Sequence, residues 1–360
     1  MAYQLPPEVL QILFDFDLEI RQLAQCRGVC KAWKRGAEMA MSRKAIVICG
    51  KEMAQGFYEH FVLKSEFGKN IKHLTIACQL HENFNCDQSP YKQILKSLVY
   101  ERLEVIDGEV NESFYQLLTD IDRESEGKKN SMLKRLPDPS LSFYEEAMHK
   151  AALCFARSLE QVRVLVSLST YDANFFIRHL GTFKLLTSID LVMERCSINE
   201  INAIAEKCLQ LKELRLSAVY DDRWTTSYVR TVFHQNYRPT TSSLKVLKLE
   251  KCFSAIPLEV LVMKYGLIES VSINLETYPV FLTNRILQGY MYNRNFPLRL
   301  AKALRGVPKY EISFYDDDYW CPLLHFQVAA AATGHDIEFD VSTEVQGLTI
   351  AKATLRPYQT

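Results

Sequence analysis

The sequence predicts an α/β protein: a curved array of repeated strand–helix units with a parallel inner sheet, preceded by a small module of three helices. Three observations predict this fold. A short strand pattern returns along most of the chain, helical patterns lie between its copies, and residues 5–40 break the period and are helical throughout. The length agrees, because 360 residues exceed one compact core, and 48% apolar with 24% charged residues is an ordinary globular composition.

The strand pattern is apolar-x-x-apolar-x-apolar. It occurs at 71–76, 100–105, 159–164, 186–191, 211–216, 244–249 and 268–273, with weaker copies at 45–48, 307–312 and 337–341. Its fourth position falls at Ile46, Leu74, Leu103, Val162, Ile189, Leu214, Leu247, Val271, Tyr310 and Phe339. The gap from Leu103 to Val162 is about twice the others, which indicates one degenerate copy or an insertion around residues 111–158. The mean step is then about 29 residues, a period typical of leucine-rich repeats.

Helical patterns lie between the strands. Two segments carry an apolar stripe at helical spacing, formed by Ile201, Ile204, Ala205 and Cys208 in one and by Phe143, Ala147, Ala151 and Phe155 in the other. Strand, loop and helix at a fixed period build a horseshoe-like solenoid whose parallel strands line the inner face. One unit cannot bury its apolar side alone, so we expect the units of residues 43–360 to stack.

Residues 196–217 resemble the cysteine-containing type of leucine-rich repeat. In that type one Cys ends a strand and a second Cys closes the following helix, and here Cys196 and Cys208 take those places. Cys252 takes the strand-end place of a later repeat. Small size and apolar character in a tight inner turn explain these cysteines, so no chemistry is required of them.

The N-terminal module begins at Pro6 and Pro7, which suit the first turn of a helix because its N–H groups are unpaired there. Glu8 suits the positive end of the helix dipole. Apolar residues lie on both sides of this helix: Val9, Ile12, Leu13 and Phe16 form one stripe, and Leu10 and Phe14 face the other way. We expect further helices over 18–24 and 29–39. A module of this length cannot cover all this apolar surface by itself. Either the repeat array or a partner protein must therefore cover it.

The module, taken as residues 1–42, resembles the F-box. The family pattern is matched by Leu5-Pro6-Pro7-Glu8-Val9-Leu10, by Leu13-Phe14, by Leu18, by Leu23 and by Val29-Cys30-Lys31-Ala32-Trp33. This sequence departs from the family in having Gln22 where an Asp is usual and in a loop before Leu18 that is about one residue longer. An F-box followed by leucine-rich repeats resembles the substrate receptors of Skp–cullin–F-box ubiquitin ligases, which are not themselves catalytic.

The resemblance implies a Skp-type adaptor as partner, and through it a cullin. The residues expected at the adaptor are Leu5, Pro6, Pro7, Glu8, Val9, Leu10, Leu13, Phe14, Leu18, Leu23, Val29, Cys30 and Trp33. The alternative is a helical cap that closes the open end of a repeat scaffold and engages no ligase, since repeat arrays need caps for solubility.

A protein substrate is expected on the repeats. Three strand exits combine aromatic and acidic residues, and from them we predict contacts by Tyr171, Tyr220, Asp221, Asp222, Trp224, Tyr315, Asp316, Asp317, Tyr319 and Trp320. Such a rim suits a basic segment through ion pairs and cation–π contacts. The alternative is that the Asp residues cap helices and the rings pack on the core. The inner sheet face, which includes Arg163 and Arg215, is mixed in charge and favours a protein over a polyanion.

Composition and motif searches narrow the remaining function classes. Forty-three basic residues balance forty-three acidic ones, so neither nucleic acid nor anionic lipid is expected as the main partner. No uncharged stretch reaches the length of a membrane span, and no signal peptide is recognisable. Ten Cys without such a signal indicate reduced thiols in the cytosol or nucleus. No cofactor motif, metal site or catalytic constellation is predicted; an enzyme with an unrecognised site is the remote alternative.

Overall fold

The computed structural model describes residues 5–16, 18–63, 70–77, 90–125, 131–139, 145–166, 173–193, 203–204, 206–218, 243–250, 256–274, 295–316, 328, 331, 337–345 and 349–357. Over these residues the protein is α/β, as predicted, with a six-stranded parallel run of strands and about ten helices. The chain divides into two compact units. Unit 1 comprises 1–162 and 182–185, and unit 2 comprises 163–181 and 186–360.

Unit 1 begins with the three predicted helices, α1 (Pro7–Asp15), α2 (Ile20–Cys26) and α3 (Lys31–Arg43). Helix α2 starts with a capping box, in which the Glu19 N–H donates to the Gln22 side chain over 2.8 Å. Gln22, the departure from the F-box pattern, therefore has a local role in starting the helix. The Phe14 ring meets Trp33 edge-on with centroids 5.5 Å apart. It lies so close to Gly36 that a Cβ there would stand 2.8 Å from the ring.

The rest of unit 1 alternates strands and helices. These are β1 (Ile46–Cys49), α4 (Gly50–Phe57), a π-helix (Tyr58–Val62), β2 (His73–Ala77), α5 (Pro90–Leu98), β3 (Val105–Asp107), β4 (Glu109–Val110), α6 (Glu112–Glu124), β5 (Asp138–Pro139) and α7 (Glu145–Cys154). Strands β1, β2 and β3 form a parallel sheet in that order, and β4 pairs with β5. Ala147, Ala151 and Phe155 of the second predicted helical stripe are buried.

The strand register of unit 1 corrects the predicted partner of Leu74 and shows what residues 111–158 contain. Leu74 pairs with Ile106 and not with Leu103. The N–H groups of Glu104 and Val105 both bond to the Lys72 carbonyl, and the two residues before Leu214 bond to the Thr187 carbonyl in the same way. Ile106 therefore takes the fourth position of the strand pattern, and Leu103 takes the first. Between β3 and residue 161, Arg135 bridges Val105 on one side and Gln161 on the other, both in parallel. Residues 111–158 therefore contain the degenerate strand position, flanked by α6 and α7, rather than a plain insertion.

Unit 2 carries most of the larger sheet. Its elements are β6 (Gln161–Val166, which crosses the unit division), α8 (Ala173–His179), a 3₁₀ turn (Leu180–Thr182), β7 (Ser188–Met193), β8 (Glu213–Ala218), β9 (Val246–Glu250), α9 (Ile256–Lys264), β10 (Ser270–Asn274), α10 (Asn295–Leu304), β11 (Lys309–Asp316), β12 (Ile337–Val345) and β13 (Thr349–Pro357). The sheet order is β12-β13-β11-β10-β9-β8-β7-β6.

The predicted equivalence of the repeat positions is confirmed across five strands of unit 2. Ile189, Leu214, Leu247, Val271 and Tyr310 are consecutive parallel partners, and all five are buried. The prediction that residues 337–341 form a tenth parallel repeat strand is wrong. Phe339 pairs with Leu355 in an antiparallel hairpin, and β13 lies between β12 and β11. Alternating side chains give the same pattern in parallel and antiparallel strands, so the pattern could not distinguish them. No helix in the described part of the chain is long and apolar enough to cross a membrane.

Candidate functional site

Helix α1 exposes an apolar face on the side away from the module core. Ile12 is 61% exposed and Phe16 73% exposed, and Val9 and Leu13 are also exposed. Leu5, just before the helix, is exposed as well. These five residues recur at helical spacing and lie along one side of α1, which we call the α1 stripe. Large apolar side chains that cluster on a surface, unlike scattered ones, mark an interaction site.

The predicted adaptor residues separate into two groups. Leu10 and Phe14 are 2% exposed and Leu23 is fully buried, so these three pack in the core of the module, and their contact with an adaptor stays a prediction. Leu5, Pro6, Glu8, Val9, Leu13, Val29 and Cys30 are exposed, and Leu18 and Trp33 are half-buried. Pro7 begins α1, and its side chain lies outside the described set.

Ile12 and Phe16 are the two most exposed members of the α1 stripe, yet the motif comparison omitted them. Both fall at positions where the F-box pattern requires no particular residue. The helical spacing in the sequence already placed them with Val9 and Leu13, so periodicity was the signal that could have found them. A family motif includes both the residues that stabilise the fold and the residues that bind a partner. The solvent exposure of each side chain distinguishes the two groups.

The polar face of the unit 2 sheet carries a chain of ion pairs across four neighbouring strands. Arg163 Nε lies 3.5 Å from Asp190 Oδ2, Arg215 Nη1 lies 3.9 Å from the same oxygen, and Arg215 also pairs with Glu250. Ser217 Oγ donates to Glu250 over 3.0 Å. Lys248 Nζ and Glu213 add a second link at 2.7 Å. We call these six charged residues the unit 2 ladder; its three cations and three anions make it electrically neutral.

Unit 1 has a comparable polar cluster of its own. Glu104 accepts from Lys72 at 2.6 Å and pairs with Lys134 at 3.1 Å, and these cations, Lys72 first, lower the pKa of its carboxyl group. Asp107 lies 2.6 Å from His73 Nε2 and 3.3 Å from Arg135.

The aromatic and acidic strand exits fall mostly outside the described residues. This applies to Tyr171, Tyr220, Asp221, Asp222, Trp224, Asp317, Tyr319 and Trp320. Tyr315 and Asp316 are the last residues of β11, where they pair with Lys352 and Ala351 of β13. The rim prediction therefore stays a prediction, and Arg163 and Arg215 are the predicted substrate contacts whose side-chain surroundings are described.

The strongly shifted ionisable groups owe their shifts mainly to burial. Burial raises the pKa of the Cys154 and Cys208 thiols to about 11, so both are protonated at neutral pH. Burial lowers the pKa of His149, on α7, to about 3. Burial also leads the causes that raise the pKa of Tyr100 to about 12. Cys208 thus behaves as the small apolar group that its repeat position requires. Among the described residues, no group of His, Cys, Asp and Glu is arranged to hold a metal ion.

Comparison with known proteins gives no assignment: no family model matches the sequence, and no curated protein matches it.

Proposed function

We propose that this protein is the substrate-recognition subunit of a Skp–cullin–F-box ubiquitin ligase. In this proposal the N-terminal helices dock on a Skp-type adaptor through the α1 stripe, and the strands carry the target protein. The chain performs no chemistry itself. It holds a target lysine near a conjugating enzyme, and the gain is the high effective concentration of two groups held together.

The α1 stripe is the observation that carries the proposal. Val9, Ile12 and Leu13 lie exposed along one side of α1, and Leu5 and Phe16 are exposed just beyond its two ends. Leu10 and Phe14, on the opposite side, are buried in the module core. The exposed residues occur together with Leu5-Pro6 at one end of the module and Val29-Cys30 and Trp33 at the other, the two motif segments of the F-box resemblance.

The finer fold belongs to the same proposal. Parallel partners are 24 to 39 residues apart along the chain, from Ile46 with Leu74 to Val271 with Tyr310. That spacing, with buried leucines and isoleucines at equivalent positions, supports a leucine-rich-repeat solenoid from residue 43 to β11, beyond which β12 and β13 form an antiparallel hairpin. We place the binding site of the target protein at the neutral unit 2 ladder, since paired charges of both signs suit contact with a protein surface.

The alternative is a repeat scaffold on which the three helices serve as a cap. Burial of Leu10, Phe14 and Leu23 fits a cap equally well. A cap, however, needs a polar outer face to keep the array soluble, whereas the outer side of α1 is apolar. That difference favours the ligase receptor.

The test is binding of the full-length chain to a recombinant Skp-type adaptor. The variant is Val9→Asp with Leu13→Asp, which places two charges on the α1 stripe and leaves the buried Leu10 and Phe14 in place. The matched control is Leu209→Asp with Leu267→Asp, because these leucines are 72% and 70% exposed in unit 2.

Stoichiometric binding by the wild type and the control, lost in the stripe variant, is the expected result. The adaptor would bury the side chains of Val9 and Leu13, so replacing both with charged residues should weaken binding at least 100-fold, about 3 kcal/mol. A folded wild-type chain that does not bind the adaptor would leave the cap interpretation in place.

A further inference from the structure

One arginine in unit 1 joins the N-terminal helices to the π-helix that follows α4. Arg27 caps the C-terminal end of α2. Its Nη2 lies 3.0 Å from Glu38 Oε1 on α3, and its guanidinium carbon lies 4.9 Å from the centre of the Phe61 ring in the π-helix. The side chain at the end of α2 therefore contacts two further elements, α3 and the π-helix.

The contact of Arg27 with Glu38 is partly shielded from solvent. The side chains of Arg27 and Glu38 are 22% and 21% exposed, and Arg27 Nε and Glu38 Oε1 are shielded from solvent. Removing one partner of a shielded ion pair leaves the other charge uncompensated, so the loss exceeds that of an exposed pair. A desolvated cation over an aromatic face is likewise worth more than an exposed one.

The ring under Arg27 is itself held in place. Phe61 stacks on Phe57, with centroids 5.6 Å apart and planes 25° apart, and Phe57 is buried. The Leu63 N–H donates to the Tyr58 carbonyl over 3.0 Å, which closes the wider turn characteristic of a π-helix. Such turns occur frequently at functional sites, where they change the direction of a side chain within a helix. Here the π-helix carries the aromatic ring that receives the guanidinium.

We infer that Arg27 is the positioning residue that fixes the orientation of the three N-terminal helices against the π-helix of unit 1. The α1 stripe is then presented at a set angle instead of swinging on the two residues between α3 and β1. This inference rests on contacts within unit 1 and is independent of which partner covers the stripe.

Hydrogen exchange of the full-length chain tests the inference. In Arg27→Ala we expect amides of α2, the first turns of α3 and residues 57–63 to exchange roughly fivefold to thirtyfold faster, the range for losing one shielded contact of this kind. Amides of β2 and α5 in the same unit should keep their wild-type rates. Arg35→Ala, which removes an exposed cation of α3, is the matched control and should change neither set.

Two further variants separate positioning from general stability. Arg27→Lys keeps the charge beside Glu38 but lacks the planar face, so it should restore part of the protection. Arg27→Ala and Phe61→Leu should be strongly non-additive, because each removes the same contact. Equal acceleration across α2, β2 and α5, or additive effects of the two substitutions, would show that Arg27 merely stabilises unit 1 and would overturn the inference.

Discussion

At Gly108 the backbone of the β3–β4 turn passes so close to β2 that a Cβ atom would lie 2.0 Å from the carbonyl oxygen of Ile76. The residue also has φ +109°, a conformation that L side chains rarely adopt. Gly50 shares a positive φ, +78°, but nothing lies within 4 Å of its Cβ position. The two glycines therefore separate the cost of backbone strain from the cost of a clash.

Gly108→Ala should lower the free energy of unfolding by roughly 2–4 kcal/mol, because the turn must move away from β2. Gly50→Ala should cost only about 1–2 kcal/mol, the strain of the left-handed conformation itself. Urea titration followed by circular dichroism measures both. Equal losses would mean that the approach to Ile76 is relaxed without cost.

His149 gives the protein a pH dependence that can be assigned to one side chain. Burial lowers its pKa from the ordinary 6.5 to about 3, so the folded state keeps it neutral while the unfolded state takes up a proton below pH 6.5. The contribution of the neutral His149 ring to the free energy of unfolding is thus fully present above pH 6.5, and it is lost progressively as the pH drops toward 3. Between pH 7.5 and 5.0 the loss should be about 2 kcal/mol.

The measurement is the free energy of unfolding at several pH values from 7.5 to 5.0, for the wild type and His149→Leu. The Leu variant cannot take up this proton, so its stability should fall by about 2 kcal/mol less over that range. Parallel pH profiles for the two proteins would show that His149 is accessible to protons in the folded state.

At the scale of elements, the segment at residues 131–139 holds the repeat position that the strand pattern did not locate. Arg135 bridges two strands, and the next residue, Leu136, is 9% exposed. If this short segment is a full member of the sheet, its buried leucine contributes as a core residue. Leu136→Ala should then lower the free energy of unfolding by about 2–3 kcal/mol.

Met132→Ala is the matched control, because Met132 lies in the same segment and is 49% exposed. Its cost should stay below about 0.5 kcal/mol. Both are measured by urea titration of the full-length chain. Similar small losses for the two substitutions would mean that residues 131–139 lie on the sheet without supporting it.

Periodicity located the strands well where burial was strict and poorly where it was not. From Ile189 to Tyr310 every predicted partner is the observed one, because a shift of one residue would turn the apolar set toward solvent. At β3 the strand pattern was placed three residues too early, because Leu103 and Ile106 are both apolar and both buried, and Ile106 is the observed partner of Leu74. The hairpin of β12 and β13 was missed because the direction of pairing depends on the connection and not on the strand's own residues.

At the scale of the whole molecule, the residues of the candidate sites were predictable only in part. The motif identified the N-terminal module but mixed the buried Leu10 with the exposed Val9, since both define the family pattern. The pairing of Arg215 with Asp190 and Glu250 required strand register, which brings together residues far apart in sequence. These ion pairs, and the contact of the Arg27 guanidinium with the Phe61 ring, depend on tertiary packing that no local sequence pattern encodes.

A receptor of the proposed kind must carry both of its surfaces on one chain, because proximity is its whole contribution. This requirement gives a genetic prediction. The stripe variant, Val9→Asp with Leu13→Asp, should lose the adaptor and keep the target. The ladder variant, Glu213→Lys with Lys248→Glu, keeps a cation beside an anion but reverses their order, so it should keep the adaptor and lose the target.

In cells that lack the chain, the half-lives of its target proteins should lengthen, and quantitative mass spectrometry can measure them. Wild-type chain should restore the short half-lives, whereas neither variant should. Co-expression of the two variants should also fail, because a target bound to one molecule gains nothing from an adaptor bound to another. Restoration by the co-expressed pair would mean that the two surfaces act on separate molecules, and a scaffold that assembles several copies would replace the single-chain receptor.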